Sequence, residues 1–185
     1  MKIRSLLFFG SVLLVCGMTA SASFEPIKSV KSARSQLKKK PMTAISKLEE
    51  SSLKIRKKVV ADVMQIFTQK NGVAMFQRRA GELLESIAND APDAVVPSIV
   101  KELKQARQND NRQLQVRLIN FVRRCGQTGK KAVPELTKAL ESGDKPMQVS
   151  ALMALKRIGP AAEEAVPQLI KFTVHKYSGI RSSAL

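Results

Sequence analysis

The stretch QVSALMALKRIGPAAEEAVPQLI, residues 148–170, repeats the pattern of QVRLINFVRRCGQTGKKAVPELT, residues 115–137, at a distance of 33 positions. In both, apolar residues recur every three or four positions, which predicts an amphipathic helix. A glycine then supplies the left-handed conformation that closes a helix. A Val-Pro pair follows, and proline in the first turn of a helix loses no hydrogen bond. Each stretch therefore predicts a helix, a short connection and a second helix.

The same pattern recurs elsewhere in the chain. Two short antiparallel helices cannot bury both of their faces alone, whereas stacking such pairs at a fixed period creates a continuous core. The sequence therefore predicts an all-α protein built from stacked antiparallel helix pairs. The residues that open the helical runs are Phe76, Leu114, Met147 and Ile180. The apolar positions eleven residues after the first three openers are Ile87, Cys125 and Ile158.

The segments MQVSALMALKRIG (147–159) and IGPAAEEAVPQL (158–169) resemble the HEAT-repeat family, especially the short HEAT-like repeats of the phycobilisome-lyase type. The resemblance is specific over roughly 90–185 and weaker over 42–89. It implies an α-solenoid, a HEAT-like superhelix whose second helices line the concave surface. The family often places Arg directly after the opener, bonded to an Asp in the preceding turn of the stack. Here only Arg181 conforms, because the other positions hold Gln77, Gln115 and Gln148. We therefore expect a weaker ladder between repeats.

The first residues are typical of an export signal. A short basic segment, MKIR, precedes the apolar run SLLFFGSVLLVCGMT, and Ala20 and Ala22 form a small-x-small cleavage site. We expect cleavage after Ala22, an exported protein (periplasmic, secreted or associated with the cell envelope) and no stable membrane span afterwards. An uncleaved anchor and lipoprotein processing at Cys16 are the alternatives, although Val15 before that cysteine disfavours the second.

The rest of the chain divides in two. Residues 23–41 are polar and basic, which predicts a linker that is either a solvated tether or a weak helix. In a helix, Lys28, Lys31, Arg34 and Lys38 would fall near one face. Residues 42–185 are expected to form the helical repeats, and the last repeat, opened by Ile180, looks truncated at GIRSSAL.

Few residues could perform catalysis. His175 is the only histidine, and Cys125 becomes the only cysteine after cleavage. Cys125 also aligns with two isoleucines, which predicts a core residue. Metal sites need clustered His, Cys or carboxylate ligands. We therefore expect no catalytic residues, no metal and no cofactor.

Basic residues are the remaining signal, because the formal net charge is +17. Outward positions of two successive helices would align Arg123 with Lys156 and Arg124 with Arg157. Arg117, two turns before Arg124, would extend this basic stripe. Glu82 and Glu85 would neutralise it in the preceding unit. The alternative is that these cations only complement the negative ends of their helix dipoles.

These features favour a non-enzymatic scaffold or protein-binding module. The excess positive charge favours an acidic protein or an anionic cell-envelope polymer as the partner. Nucleic acid ranks last, because aromatic residues, which stack on bases, make up only 4% of the chain. The alternative is the N-terminal repeat portion of a larger exported enzyme, or an enzyme-associated, lyase-like protein.

Overall fold

The computed structural model describes residues 26–184, and the expected signal peptide, residues 1–22, lies outside them. The described chain is all-α, with no strand between residues 26 and 184. None of its helices is both long and apolar enough to cross a membrane. The α-helices are α1 (Val30–Lys39), α2 (Pro41–Glu49), α3 (Leu53–Lys58), α4 (Val60–Thr68), α5 (Ala74–Asp90), α6 (Pro92–Gln108), α7 (Arg112–Cys125), α8 (Val133–Leu140), α9 (Lys145–Ile158), α10 (Val166–Thr173) and α11 (Ser178–Ala184).

Helices α7 and α9 begin and end where the repeated stretch predicts. Asn111 and Asp144 cap the starts of these helices, each accepting a hydrogen bond from the backbone N–H three residues later. Gly126 (φ +58°) and Gly159 (φ +70°) end them in a left-handed conformation, which side chains with a Cβ rarely adopt. Both helices therefore have the same length and boundaries, so residues 33 apart occupy equivalent positions.

The connections between paired helices are more regular than a loop. Gly126–Ala132 and Gly159–Ala165 are 3-10 helices that lead directly into α8 and α10. The earlier pair differs, because no glycine follows Ile87 and α5 continues to Asp90. Helix α6 then begins at Pro92, so Pro97, which follows a valine as the prolines of the two later Val-Pro pairs do, lies inside the helix rather than in its first turn.

The core positions of α5, α7 and α9 recur at the same spacing from each opener. The residues four, seven, eight and eleven positions after the opener are buried, whereas the openers Phe76 and Leu114 are half-buried and Met147 is buried. Ala154 and its counterparts Leu83 and Phe121 are completely buried. Buried side chains from Ile27 to Ile180 form one contiguous cluster. The cluster that holds the helices together therefore extends through most of the described chain.

The helices α5, α7, α9 and α11 contact one another in that order along the chain. Helix α6 packs against α5 and α7, and α8 packs against α9. Towards the N-terminus, α2 and α4 both pack against α5. Helix α10 has no fully buried side chain. Val166 and Ile170 are exposed on it, and Val174 is exposed just after its end.

The basic segment 23–41 is not a solvated tether over its described part. Residues Val30–Lys39 form α1, which is capped by the Ser29 side chain. Ile27, Ala33 and Leu37 are buried against the rest of the protein. The apolar residues of this segment are few, but their helical spacing places Ala33 and Leu37 on one side, where they join the core.

Candidate cationic binding surface

The five predicted site residues lie on two neighbouring helices. Arg117, Arg123 and Arg124 belong to α7, and Lys156 and Arg157 belong to the last turn of α9. These two helices pack side by side, and their shared register aligns their C-terminal turns. The closing glycines lie at the same end, since the position of a Cβ on Gly126 would be 3.8 Å from the carbonyl oxygen of Arg157.

Arg123 reaches across to the neighbouring helix. Its Nη1 lies 3.7 Å from Sδ of Met153 on α9, and the side chain is exposed. Met153 itself is 42% exposed, so the contact is at the surface. Arg123, Lys156 and Arg157 form no ion pair with any described residue. We call these three residues and Met153 the α7–α9 surface.

Arg124 is partly neutralised. Its Nε lies 2.9 Å from Oε2 of Glu85 on α5, so Glu85 neutralises a cation of the following unit. Its guanidinium also lies 5.7 Å from the centre of the Phe121 ring. Arg124 therefore joins α7 to α5 and contributes less free charge than Arg123.

Arg117 does not belong to the exposed group. Its Nη1 donates a hydrogen bond of 3.0 Å to the carbonyl oxygen of Phe67, near the end of α4. Such carbonyls have no partner within their own helix. The half-buried Arg117 side chain lines an open pocket of about 560 Å³ between α4, α5 and α7, together with Phe67, Gln77 and Glu85. The structure therefore separates Arg117 from the α7–α9 surface.

The remaining acid of the preceding unit has local partners. Glu82 accepts hydrogen bonds from Arg78 (3.0 Å) and Arg79 (3.1 Å) of its own helix. Burial raises the pKa of Glu82, but these two guanidinium groups outweigh it and hold the pKa below its ordinary value. Glu82 therefore neutralises positive charge on α5 rather than on the α7–α9 surface.

Cys125 is a buried core residue, as its alignment predicts. Burial raises the pKa of its thiol to about 12, and the nearby Glu85 carboxylate adds to the effect. A thiolate is the nucleophilic form of cysteine. Cys125 is therefore almost entirely the unreactive thiol at neutral pH.

His175 lies just after α10 among aromatic rings. Its ring is 5.7 Å from that of Phe172 and 5.5 Å from that of Tyr177. Within residues 26–184, no group of three or more His, Cys, Asp or Glu side chains could hold a metal ion.

Two features of this region were not anticipated from the sequence. Met153 was not singled out, although its position between the basic residues of α7 and α9 follows from the 33-residue register. The three glutamines at the position after the opener each donate a side-chain hydrogen bond to a backbone carbonyl, which lies in the preceding helix for Gln115 and Gln148 and just after the preceding helix for Gln77. The recurrence of glutamine at one repeat position is the sequence feature from which these hydrogen bonds could have been predicted.

Comparison of the chain with protein-family models and with curated proteins finds no match. The likeness to HEAT repeats therefore rests on the residues quoted above.

Proposed function

We propose that this protein is an exported, non-enzymatic helical-repeat module that binds an acidic partner protein through the α7–α9 surface. The observation that carries the proposal is the contact of Arg123 with Met153. It joins the cations of two helix ends into one exposed group, and none of the three cations has an acidic partner among the described residues.

A protein partner fits this surface better than a uniform polyanion. Met153 is exposed between the cations, and Val116 and Val149 are half-buried on the same two helices. Arginine and methionine are enriched in protein interfaces. The favoured partner segment therefore carries both carboxylates and an apolar side chain.

The repeat architecture that we propose is a HEAT-like solenoid. It is supported by the consecutive contacts of α5, α7, α9 and α11, and by the equal boundaries of α7 and α9. In such a stack, equivalent residues of successive units align, which would place the α7–α9 surface on the layer formed by α5, α7, α9 and α11.

The binding test is retention on immobilised polyglutamate. Arg123→Glu/Lys156→Glu should elute at clearly lower salt than the wild type. The matched control is Lys101→Glu/Lys104→Glu, which changes the net charge equally at two exposed positions of α6. If both double variants elute together, retention depends on net charge alone and the surface assignment is wrong.

Export has its own test. The apolar run and the small residues Ala20 and Ala22 motivate cleavage after Ala22. Intact-mass measurement of protein secreted from a bacterial host should show the loss of residues 1–22. A mass that retains them would contradict cleavage.

A further inference from the structure

Positive charge is concentrated at the N-terminal end of the described chain. Residues 26–58 contain eleven Lys and Arg residues but only two acids, Glu49 and Glu50. Residues 59–184 contain nineteen Lys and Arg residues and twelve acids. Much of the protein's excess charge therefore lies far along the chain from the α7–α9 surface, and the proposed function does not account for it.

The basic side chains of helix α1 lie on its exposed side. Ala33 and Leu37 are buried on its inner side. Lys31, Arg34 and Lys38 follow one another at helical spacing and are exposed. Because packing fixes the orientation of α1, these three side chains form a persistent row at the surface.

Helix α3 extends this row. Nη2 of Arg34 donates a hydrogen bond of 3.4 Å to the carbonyl oxygen of Lys58, at the end of α3. Lys54 lies one turn before Lys58, and both are exposed. We call Lys31, Arg34, Lys38, Lys54 and Lys58 the α1–α3 face.

Acidic residues offset only one of these five charges. Asp62 of α4 accepts a hydrogen bond of 3.1 Å from Nε of Arg34. Among the described residues, the four lysines form no ion pair. Glu49 pairs instead with Arg79 of α5, and Asp90 pairs with Arg56.

We propose that the α1–α3 face binds the surface of an anionic phospholipid bilayer. Lysine ammonium groups are compact, mobile charges that suit a dense array of headgroups, whereas bidentate recognition of a single anion favours arginine. Basic residues close to a bilayer are attracted to its anionic lipids over about a Debye length. The apolar run of residues 5–19 predicts export across a membrane, so the protein meets a bilayer during export, before residues 1–22 are removed.

Peripheral binding of this kind goes beyond the proposed binding of an acidic protein and uses different residues. Once residues 1–22 are removed, attachment depends on the electrostatic attraction between these basic residues and anionic lipids. The α1–α3 face would therefore hold the protein at a membrane surface while the α7–α9 surface remains available.

The test is co-sedimentation of the purified exported protein with vesicles. One set contains phosphatidylglycerol in phosphatidylcholine, and the other contains phosphatidylcholine alone. Binding to the anionic vesicles should exceed binding to the neutral vesicles and should fall with added salt. Lys31→Glu/Lys38→Glu/Lys58→Glu should reduce the excess by about tenfold or more, given the contribution of each basic residue near a bilayer.

Three control variants separate lipid binding by the α1–α3 face from the effects of net charge, of the α7–α9 surface and of misfolding. Lys101→Glu/Lys104→Glu/Lys171→Glu, with the same charge change on α6 and α10, should bind anionic vesicles as the wild type does. Arg123→Glu/Lys156→Glu should also retain vesicle binding, so that failure of the acidic-partner proposal leaves this one intact. Lys31→Gln/Lys38→Gln/Lys58→Gln, checked by its melting temperature, shows an intermediate loss if folding is preserved. Equal losses in the matched triple variants, or binding to soluble polyphosphate without binding to anionic vesicles, would overturn the lipid proposal.

Discussion

Gln148 donates a hydrogen bond of 2.9 Å from its side-chain Nε2 to the carbonyl oxygen of Leu140, the last residue of α8. The same repeat position does the same elsewhere. Gln115 donates to Ala106 near the end of α6, at 3.4 Å. Gln77 donates to the residue after α4, and Arg181 donates to His175 after α10, at 2.8 Å. Helices α5, α7, α9 and α11 are thereby each hydrogen-bonded to the C-terminal end of the helix that precedes them or to a residue shortly after that end.

Replacing Gln148 by leucine should destabilise the protein. The carbonyl oxygen of Leu140 loses its side-chain donor at a buried position, and leaving such a group unpaired costs about 1–3 kcal/mol. Urea unfolding measures the loss. Gln113→Leu, at an exposed position on α7 with no side-chain hydrogen bond, should change the free energy of unfolding far less. Equal effects of the two substitutions would contradict the role of Gln148.

The register of α9 makes opposite predictions for two adjacent residues. Ala154 is completely buried, so Ala154→Glu would bury an unpaired charge and should cost about 3 kcal/mol or more. Met153 is 42% exposed beside Arg123, so Met153→Glu should be nearly neutral. Thermal melting of both variants is the measurement. A melting curve for Ala154→Glu that matches the wild type would refute the register.

Glu135 should make stability depend on pH. Burial raises the pKa of this carboxyl, but hydrogen bonds from Lys138 (2.8 Å) and Arg107 (3.1 Å) outweigh it and lower the pKa below the ordinary value. A carboxylate with a depressed pKa stabilises the fold above its unfolded-chain pKa of about 4.3, and this contribution disappears as pH falls through the folded-state value.

The wild type should therefore be more stable than Glu135→Gln at about pH 6, and the difference should shrink towards about pH 3. Melting temperatures of both proteins across this range test the prediction. A constant difference would show that the ionised state of Glu135 contributes nothing.

Cys125 should resist alkylation while the protein is folded. Its burial and its pKa of about 12 leave almost no thiolate near neutral pH. Peptide mapping after treatment with iodoacetamide should show slow labelling of Cys125 in buffer and fast labelling in concentrated urea. A cysteine introduced by Gln127→Cys, at an exposed position of the following 3-10 helix, should react quickly in both conditions. Rapid native labelling of Cys125 would contradict its core placement.

The best-predicted part of the fold is the part with the strongest local signals. In α7 and α9, apolar periodicity, capping residues and closing glycines all indicate the same boundaries, so the burial of Ala154 and Cys125 could be predicted. Residues 42–68 carry weaker signals. Their single apolar pattern is divided into α2, α3 and α4, with breaks near Ser52 and Val59 that periodicity alone does not reveal.

The positions of individual cations were harder to predict. Periodicity shows that Arg117 and Arg124 share a side of α7, but it does not show which neighbouring helix each one meets. Arg117 reaches the end of α4, which is fifty residues earlier in the chain. Likewise, residues 28–40 are so highly charged that their sequence does not indicate the burial of Ala33 and Leu37, which attach α1 to the core. Long-range contacts decide both outcomes.

Arg123, Lys156 and Arg157 should bind the acidic side chains of a partner as one surface. Fluorescence anisotropy should follow binding of a labelled peptide that contains glutamates and one leucine, at low and at moderate salt. Arg123→Gln/Lys156→Gln/Arg157→Gln should weaken binding by about tenfold or more at low salt and should flatten its salt dependence. The matched variant Lys101→Gln/Lys104→Gln/Lys171→Gln should leave both unchanged. Equal affinity and equal salt dependence for the two triple variants would contradict the claim.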